Sequence, residues 1–319
     1  MRSVRGGSLR YPALAAATVG ATLALIAIGA VVRTTGSGLG CPDWPLCHGN
    51  WHPPLEKTAI IEYSHRTAAS IVGLLVLATA WVTLRQRGGD RALRWLALGS
   101  LPLLAFQAWL GKVTVERELP PEIVTLHLAT ALLLLAVLTA LATLALLGPE
   151  RVRAADRRRS AVVGVTLAGA LITYLVLLSG AYVVGGGATT ACVGWPDCPQ
   201  ALRPFLDGAR EQHIHWLHRI VVVAGGAAVA WVGHRWFHLP DATQFERRAA
   251  LALVGLYGLQ IVVGAANIWA NFAEWPRVAH LALGSAIWAL LVLLAVVARY
   301  APQAARASAA RERRAGAHA

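Results

Sequence analysis

Glu62-Tyr63-Ser64-His65-Arg66 opens a long apolar run, Thr67 to Leu84, and a looser copy, His215-Trp216-Leu217-His218-Arg219, opens another further on. An acid, a histidine and an arginine at the mouth of a membrane-length stretch are costly there and are usually kept for function. His65 and His218 stand 153 residues apart, as do Arg66 and Arg219. The spacing marks two copies of one unit, with a pentapeptide at the working end of each.

The rest of the chain is apolar enough to make that reading general. Of 319 residues, 56% are hydrophobic and only 14% charged, with a mean hydropathy of +0.54. A soluble domain carries roughly a quarter charged residues. Eight apolar runs fall near 11–33, 62–84, 92–113, 122–147, 161–184, 213–236, 247–271 and 276–299. Each has about the 20 residues a spanning helix needs. Open strands cannot cross lipid, so the sequence predicts an all-α integral membrane protein of eight transmembrane helices. The first run is too long for a cleaved leader and has no cleavage site, so it reads as the first span.

A net charge of +13 invites a nucleic-acid partner, but its distribution argues for membrane lipid instead. Arg2, Arg5 and Arg10 precede the first span. Arg85, Arg87, Arg91 and Arg94 lie in the next loop on that side, and Arg151, Arg153, Arg157, Arg158 and Arg159 in the one after. Arg235, Arg247 and Arg248 follow, then Arg299, Arg306, Arg311, Arg313 and Arg314 in the tail. These are 20 of the 29 Lys and Arg, against seven in the alternate loops. Such a bias places both termini in the cytoplasm, in a bacterial-type plasma membrane or an equivalent inner membrane. The basic tail reads as a lipid-facing segment.

The duplication runs the length of the chain. The first span ends in Thr34-Thr35-Gly36-Ser37-Gly38-Leu39-Gly40, followed by Cys41-Pro42-Asp43-Trp44-Pro45-Leu46-Cys47. The fifth ends in Gly185-Gly186-Gly187, followed by Cys192-Val193-Gly194-Trp195-Pro196-Asp197-Cys198. Cys41 and Cys192 are 151 residues apart, as are Trp44 and Trp195, Pro45 and Pro196, and Cys47 and Cys198. Gln107 and Gln260, Gly111 and Gly264, and His127 and His280 are 153 apart. A two-residue slip in a loop reconciles the two offsets. Four spans per copy keep both copies in one orientation, which is a parallel repeat of two four-helix bundles. The halves are 1–150 and 151–319.

Four residues share one depth. His65, His127, His218 and His280 each lie near the outer end of an even-numbered span, two per half. One such histidine is ordinarily a packed, hydrogen-bonded group. Four at equivalent positions suit axial ligation of haem iron by paired imidazoles, whereas zinc needs further Cys or carboxylate ligands that these helices lack. Arg66 and Arg219 are placed to pair with haem propionates, or else to snorkel to the interface. The two Cys pairs lie on the outer side, where disulfides persist, so Cys41–Cys47 and Cys192–Cys198 are expected to be bonded. A redox role for the first pair is a further reading. Glu62 breaks the symmetry, since its counterpart is His215. It is either an ion-pair partner of Arg66 or a carboxylate that moves a proton beside a bound macrocycle.

Together the Thr-Gly-Ser-Gly-Leu-Gly-Cys-Pro-Asp-Trp-Pro-Leu-Cys loop, the pentapeptide at Glu62–Arg66, and His127, His218 and His280 resemble the haem A synthase family over nearly the whole chain. The resemblance implies an oxidoreductase that converts the C8 methyl group of haem O to a formyl group, giving haem A for respiratory oxidases. It implies Glu62 as the catalytic acid, with His65, His127 and Arg66 around the substrate haem. It also implies His218 and His280 as ligands of a haem B cofactor, with Arg219 beside it. Haem O synthase, which supplies the substrate, is a partner expected from pathway order, and a homo-oligomer stays open. The rival reading is a dihaem b-type electron-transfer cytochrome, which has no use for Glu62. A transporter, a third class in which parallel repeats occur, does not explain four histidines at one depth.

Overall fold

A computed structural model of the chain describes residues 10–149, 151–153 and 157–302. Arg2 and Arg5 before the first span, and Arg306, Arg311, Arg313 and Arg314 in the tail, lie outside the described residues. Among those described, eight helices are long and apolar enough to cross a membrane. They are α1 (Arg10–Thr34), α2 (Lys57–Arg87), α3 (Arg91–Glu116), α4 (Pro121–Leu147), α5 (Arg157–Gly185), α6 (Arg210–Phe237), α7 (Gln244–Trp269) and α8 (Glu274–Arg299). The expected all-helical membrane fold is present, with one small addition. Arg151–Arg153, named β1, pairs antiparallel with Tyr300–Pro302, named β2.

Local chemistry sets the helix ends. Asp90 caps α3 by accepting the N–H groups of Ala92 and Leu93 at 3.2 and 3.3 Å. Thr243 and Glu246 form a reciprocal capping box on α7. Pro121 opens α4, where its missing N–H costs nothing. α1 and α5 stop in the same way. Gly36 and Gly187 take φ of +67° and +70°, and the next residue's N–H donates back to Val32 and Val183, both at 2.9 Å. That left-handed cap needs glycine.

In the first half α1 packs on α2 and α4, and α3 packs on α2 and α4; α5 to α8 pair in the corresponding way. α1 with α8, α4 with α5 and α4 with α8 join the two sets. α4 and α8 are therefore the central helices, and the main buried cluster runs through Leu132 and Leu135 of α4 into Ile287, Leu291 and Leu294 of α8. Buried polar groups are matched across this seam. Trp288 donates its indole N–H to the Leu132 carbonyl at 2.9 Å, and the Tyr174 hydroxyl donates to the Ala129 carbonyl at 3.1 Å. The other polar core lies at the opposite end of the helices from the histidines. Arg159 pairs with Asp241 at 2.7 Å and Glu246 at 3.0 Å, with only 5% of its surface exposed. One of the cations in the basic inner set is thus a buried structural group.

Candidate functional site

Each half carries two histidines at the loop-bearing end, one on an outer helix and one on a central helix. His65 is on α2 and His127 on α4; His218 is on α6 and His280 on α8. They lie deeper than the apolar runs indicated. α2 and α6 begin at Lys57 and Arg210, eight residues before their histidines, and α4 and α8 begin six residues before theirs. At 1.5 Å per residue that is about two turns inside. The two imidazoles of each half stand at one end of the same four helices, His65 with His127 and His218 with His280.

A glycine on a neighbouring helix makes room for each imidazole. A Cβ at Gly29 of α1 would stand 3.3 Å from His65 Cε1, and one at Gly111 of α3 would stand 3.3 Å from His127 Cε1. Gly180 of α5 and Gly264 of α7 do the same for His218 and His280, at 3.1 Å each. Only Gly111 and Gly264 stood out in the sequence. Gly29 and Gly180 are separated by the same 151 residues as the cysteines, a signal that was there to find.

The ring nitrogens of the four histidines differ in their partners. Nδ1 of His65, His127 and His280 is buried without a hydrogen-bond partner. His218 Nδ1 instead meets the Ser179 hydroxyl at 2.9 Å, which leaves Nε2 available to a ligand. Position 28 in the first half is Ile, so His65 has no such partner. His127 Nε2 lies 3.3 Å from the Gln107 amide nitrogen. Gln260, the counterpart of Gln107, donates to the His280 carbonyl at 2.8 Å. Each half thus sets two glycine-backed imidazoles at one level, and three of the four keep an unpartnered buried Nδ1, a donor set of the chemistry that haem iron takes.

Over each pair sits a short closed loop. Cys41–Cys47 and Cys192–Cys198 are disulfides, with S–S distances of 2.00 and 2.07 Å, and all four cysteines are fully buried. Trp44-Pro45 and Trp195-Pro196 are both cis. Arg66 and Arg219, expected at haem propionates, fasten these loops. Arg66 donates to the carbonyls of Asp43, Leu46 and Cys41 at 2.6 to 2.7 Å. Arg219 donates to those of Pro196, Asp197 and Gly194. The far side of each loop is held too, by the Tyr63 hydroxyl on Trp51 and the Trp216 indole on Ala201.

Glu62 is 3% exposed and joins both systems. Its Oε1 meets Arg66 at 2.6 Å and its Oε2 accepts the Cys41 N–H at 2.9 Å. Its counterpart His215 meets the Ala188 carbonyl at 3.1 Å. Both positions anchor a loop, but only the first does so with a carboxylate. In the loop itself, the N–H groups of Gly49 and His48 hold the Asp43 carboxyl below its ordinary range.

The comparisons agree with this geometry. A family model described as COX15-CtaA, cytochrome oxidase assembly protein, matches residues 13–292. A Symbiobacterium thermophilum protein named Heme A synthase is 32% identical over 88% of this chain and 93% of its own length. A Bacillus licheniformis protein of the same name is 30% identical over 86% of this chain and 92% of its own. A Thermus thermophilus protein named protoheme IX farnesyltransferase is 32% identical over 85% of this chain, which corresponds to 45% of that longer protein. The chain belongs to the COX15-CtaA family of cytochrome oxidase assembly proteins.

Proposed function

We propose that this protein is a haem A synthase, oxidising the C8 methyl group of haem O to a formyl group. The observation that carries the proposal is the repeated pair of glycine-backed histidines in a member of this family. In this reading the halves 1–150 and 151–319 divide the work. His65 and His127 hold the substrate haem, and His218 and His280 hold haem B, which supplies electron transfer when bound.

The chain's own groups account for the rest. With water as the oxygen source and an external acceptor for the four electrons, converting a methyl group to an aldehyde releases four protons, and Glu62 is a buried carboxylate three residues from His65 on α2. Its two hydrogen bonds hold it in place, so it is oriented before the substrate arrives. Ser179 occupies Nδ1 of His218. Arg66 and Arg219 serve the haems through the loops they clamp, which keep water from the outer edge of each site. The name of the Thermus relative supports a functional link to the enzyme that makes haem O. The basic bias supports a cell-membrane protein with both termini inside.

Expression alongside a haem O source, followed by extraction of the pigment, tests the proposal. Formyl-haem is the expected product. Unmodified haem B as the sole pigment selects an electron-carrying dihaem cytochrome instead.

A further inference from the structure

We propose that Arg33 and Arg277 form a carboxylate-binding site at the outer end of the seam between α1 and α8, and that it takes haem propionates. The proposal rests on the haem reading above and deepens it, by naming the groups that anchor the charged edge of the macrocycle.

The repeat exposes the site. α1 packs on α8 and α4 packs on α5. The offsets of 151 and 153 map α1 onto α5 and α4 onto α8, so the two seams are counterparts. At the α4–α5 seam the outer ends meet where Gly185 lies against Pro121, with an added Cβ 3.0 Å from Pro121 Cβ. Within one turn of that contact, α4 carries Val124 and α5 carries Val184. Val124 is the counterpart of Arg277 at 153, and Val184 the counterpart of Arg33 at 151. One seam therefore carries two valines and the other two arginines. The helix packing itself calls for no cation.

The arginines are badly placed for themselves. Each is half-buried. Arg33 is in the last turn of α1 and Arg277 in the first turn of α8, at the same end of two helices that pack on each other. Among the described residues neither makes an ion pair, and Arg33 Nε is buried with no hydrogen-bond partner. Two like charges at a low-dielectric boundary repel strongly unless an anion lies between them.

Their depth says which anion. Arg33 is four residues beyond Gly29, the glycine that backs His65, and Arg277 is three residues before His280. Both are one turn, about 5.4 Å, toward the loops from the histidine layer. A haem held by those imidazoles has two carboxylates on one edge, and they prefer the aqueous side. Guanidinium groups pair with carboxylates through two parallel hydrogen bonds. Arg66 and Arg219 have their Nη groups on loop carbonyls, whereas Arg33 Nε, one turn from the histidine layer, is buried and unpartnered.

The test compares haem B with its dimethyl ester, in which both carboxylates are masked. Apo-protein from a haem-deficient host is titrated with each while the Soret band is followed. Wild type should prefer the free acid by about tenfold or more, the factor a charge-assisted pair contributes. The variant Arg33→Gln with Arg277→Gln should bind acid and ester alike. The pair Arg33→Lys with Arg277→Lys keeps the charges and guards against misfolding. It should retain a smaller preference that weakens with salt. A wild-type preference in the glutamine variant, or a salt-independent one in the lysine variant, overturns the site. So does equal binding of acid and ester by wild type, the expected result if phosphatidylglycerol phosphate occupies the seam instead. No Soret change in wild type with either compound removes the haem reading itself.

Discussion

Glu62 Oε2 accepts the backbone N–H of Cys41 at 2.9 Å, so the acid of the first half is bonded to the very residue that starts the disulfide loop. Glu62→Gln keeps the size and one acceptor oxygen while removing charge and basicity. We expect formyl-haem production to fall by around 10²-fold or more, the scale of a general acid–base group, with the alcohol accumulating. The haem B spectrum should persist, because the ligands proposed for it lie in the other half. Near-normal product from this variant removes Glu62 from the chemistry and leaves it as a loop anchor.

His218→Ala and His280→Ala should each abolish the tightly held haem B, since each removes one axial imidazole. His65→Ala and His127→Ala should leave that spectrum in place and impair substrate haem alone. The absorption spectra of the four purified variants decide the matter. A low-spin haem B spectrum unchanged in both second-half variants rules out the assignment.

The glycines behind the imidazoles predict a gentler effect. At Gly180 or Gly264 an alanine Cβ would stand 3.1 Å from an imidazole carbon, so the ring must give by a few tenths of an ångström. The bound haem should stay but shift in spectrum and midpoint potential. Gly164→Ala, with nothing within 4 Å of the new Cβ, is the control. It should leave the haem unchanged and stabilise α5 by about 0.5–1 kcal/mol. Equal spectra for Gly180→Ala, Gly264→Ala and the control would show that the glycines do not position the ligands.

Orientation follows from the basic bias. Reporter fusions at residues 155 and 207 should read inside and outside respectively. The same side for both contradicts eight spans with cytoplasmic termini.

Asp43 gives the first loop an acid limit. Its carboxyl lies below the ordinary carboxylate range because the Gly49 and His48 N–H groups favour the charged form. A depressed value means the contribution is complete above the usual 3.8 and is lost as pH falls through the lowered value. Exchange of the amides of His48 and Gly49, corrected for intrinsic rates, should therefore be slow at pH 6 and rise only below about pH 4. Asp43→Asn should show fast exchange already at pH 6. Equal protection in the two proteins contradicts the proposed hold.

Much of this was legible in the residue order because repetition and hydropathy leave a linear trace. The apolar runs located α1 to α8, and the placing of two Cys pairs in outer loops pointed to both disulfides before any geometry. What escaped was made of contacts without a period. α2 and α6 start earlier than their apolar runs because Lys57 and Arg210 sit in first turns outside the greasy zone, where polar residues are helical without being apolar. Arg66 and Arg219 looked like anion binders because side chains, not carbonyls, are what a sequence displays. Their partners are backbone oxygens of Asp43, Leu46 and Gly194, which any residue at those positions would offer. Ser179 beside His218 and Arg159 between Asp241 and Glu246 are likewise pairings across 39 and at least 82 residues.

Arg66 follows His65 directly, on the same rigid helix, and grips the loop above it through three carbonyls. Arg219 stands in the same relation to His218. Cover and ligand are thus a single hinged part: the loop cannot lift without tugging the helix turn that presents the imidazole. On the proposed assignment, a substrate haem leaving by the outer face would strain its hold on His65 as it opened its own exit. In the second half, where the proposed haem B would stay, the same linkage would act as a latch.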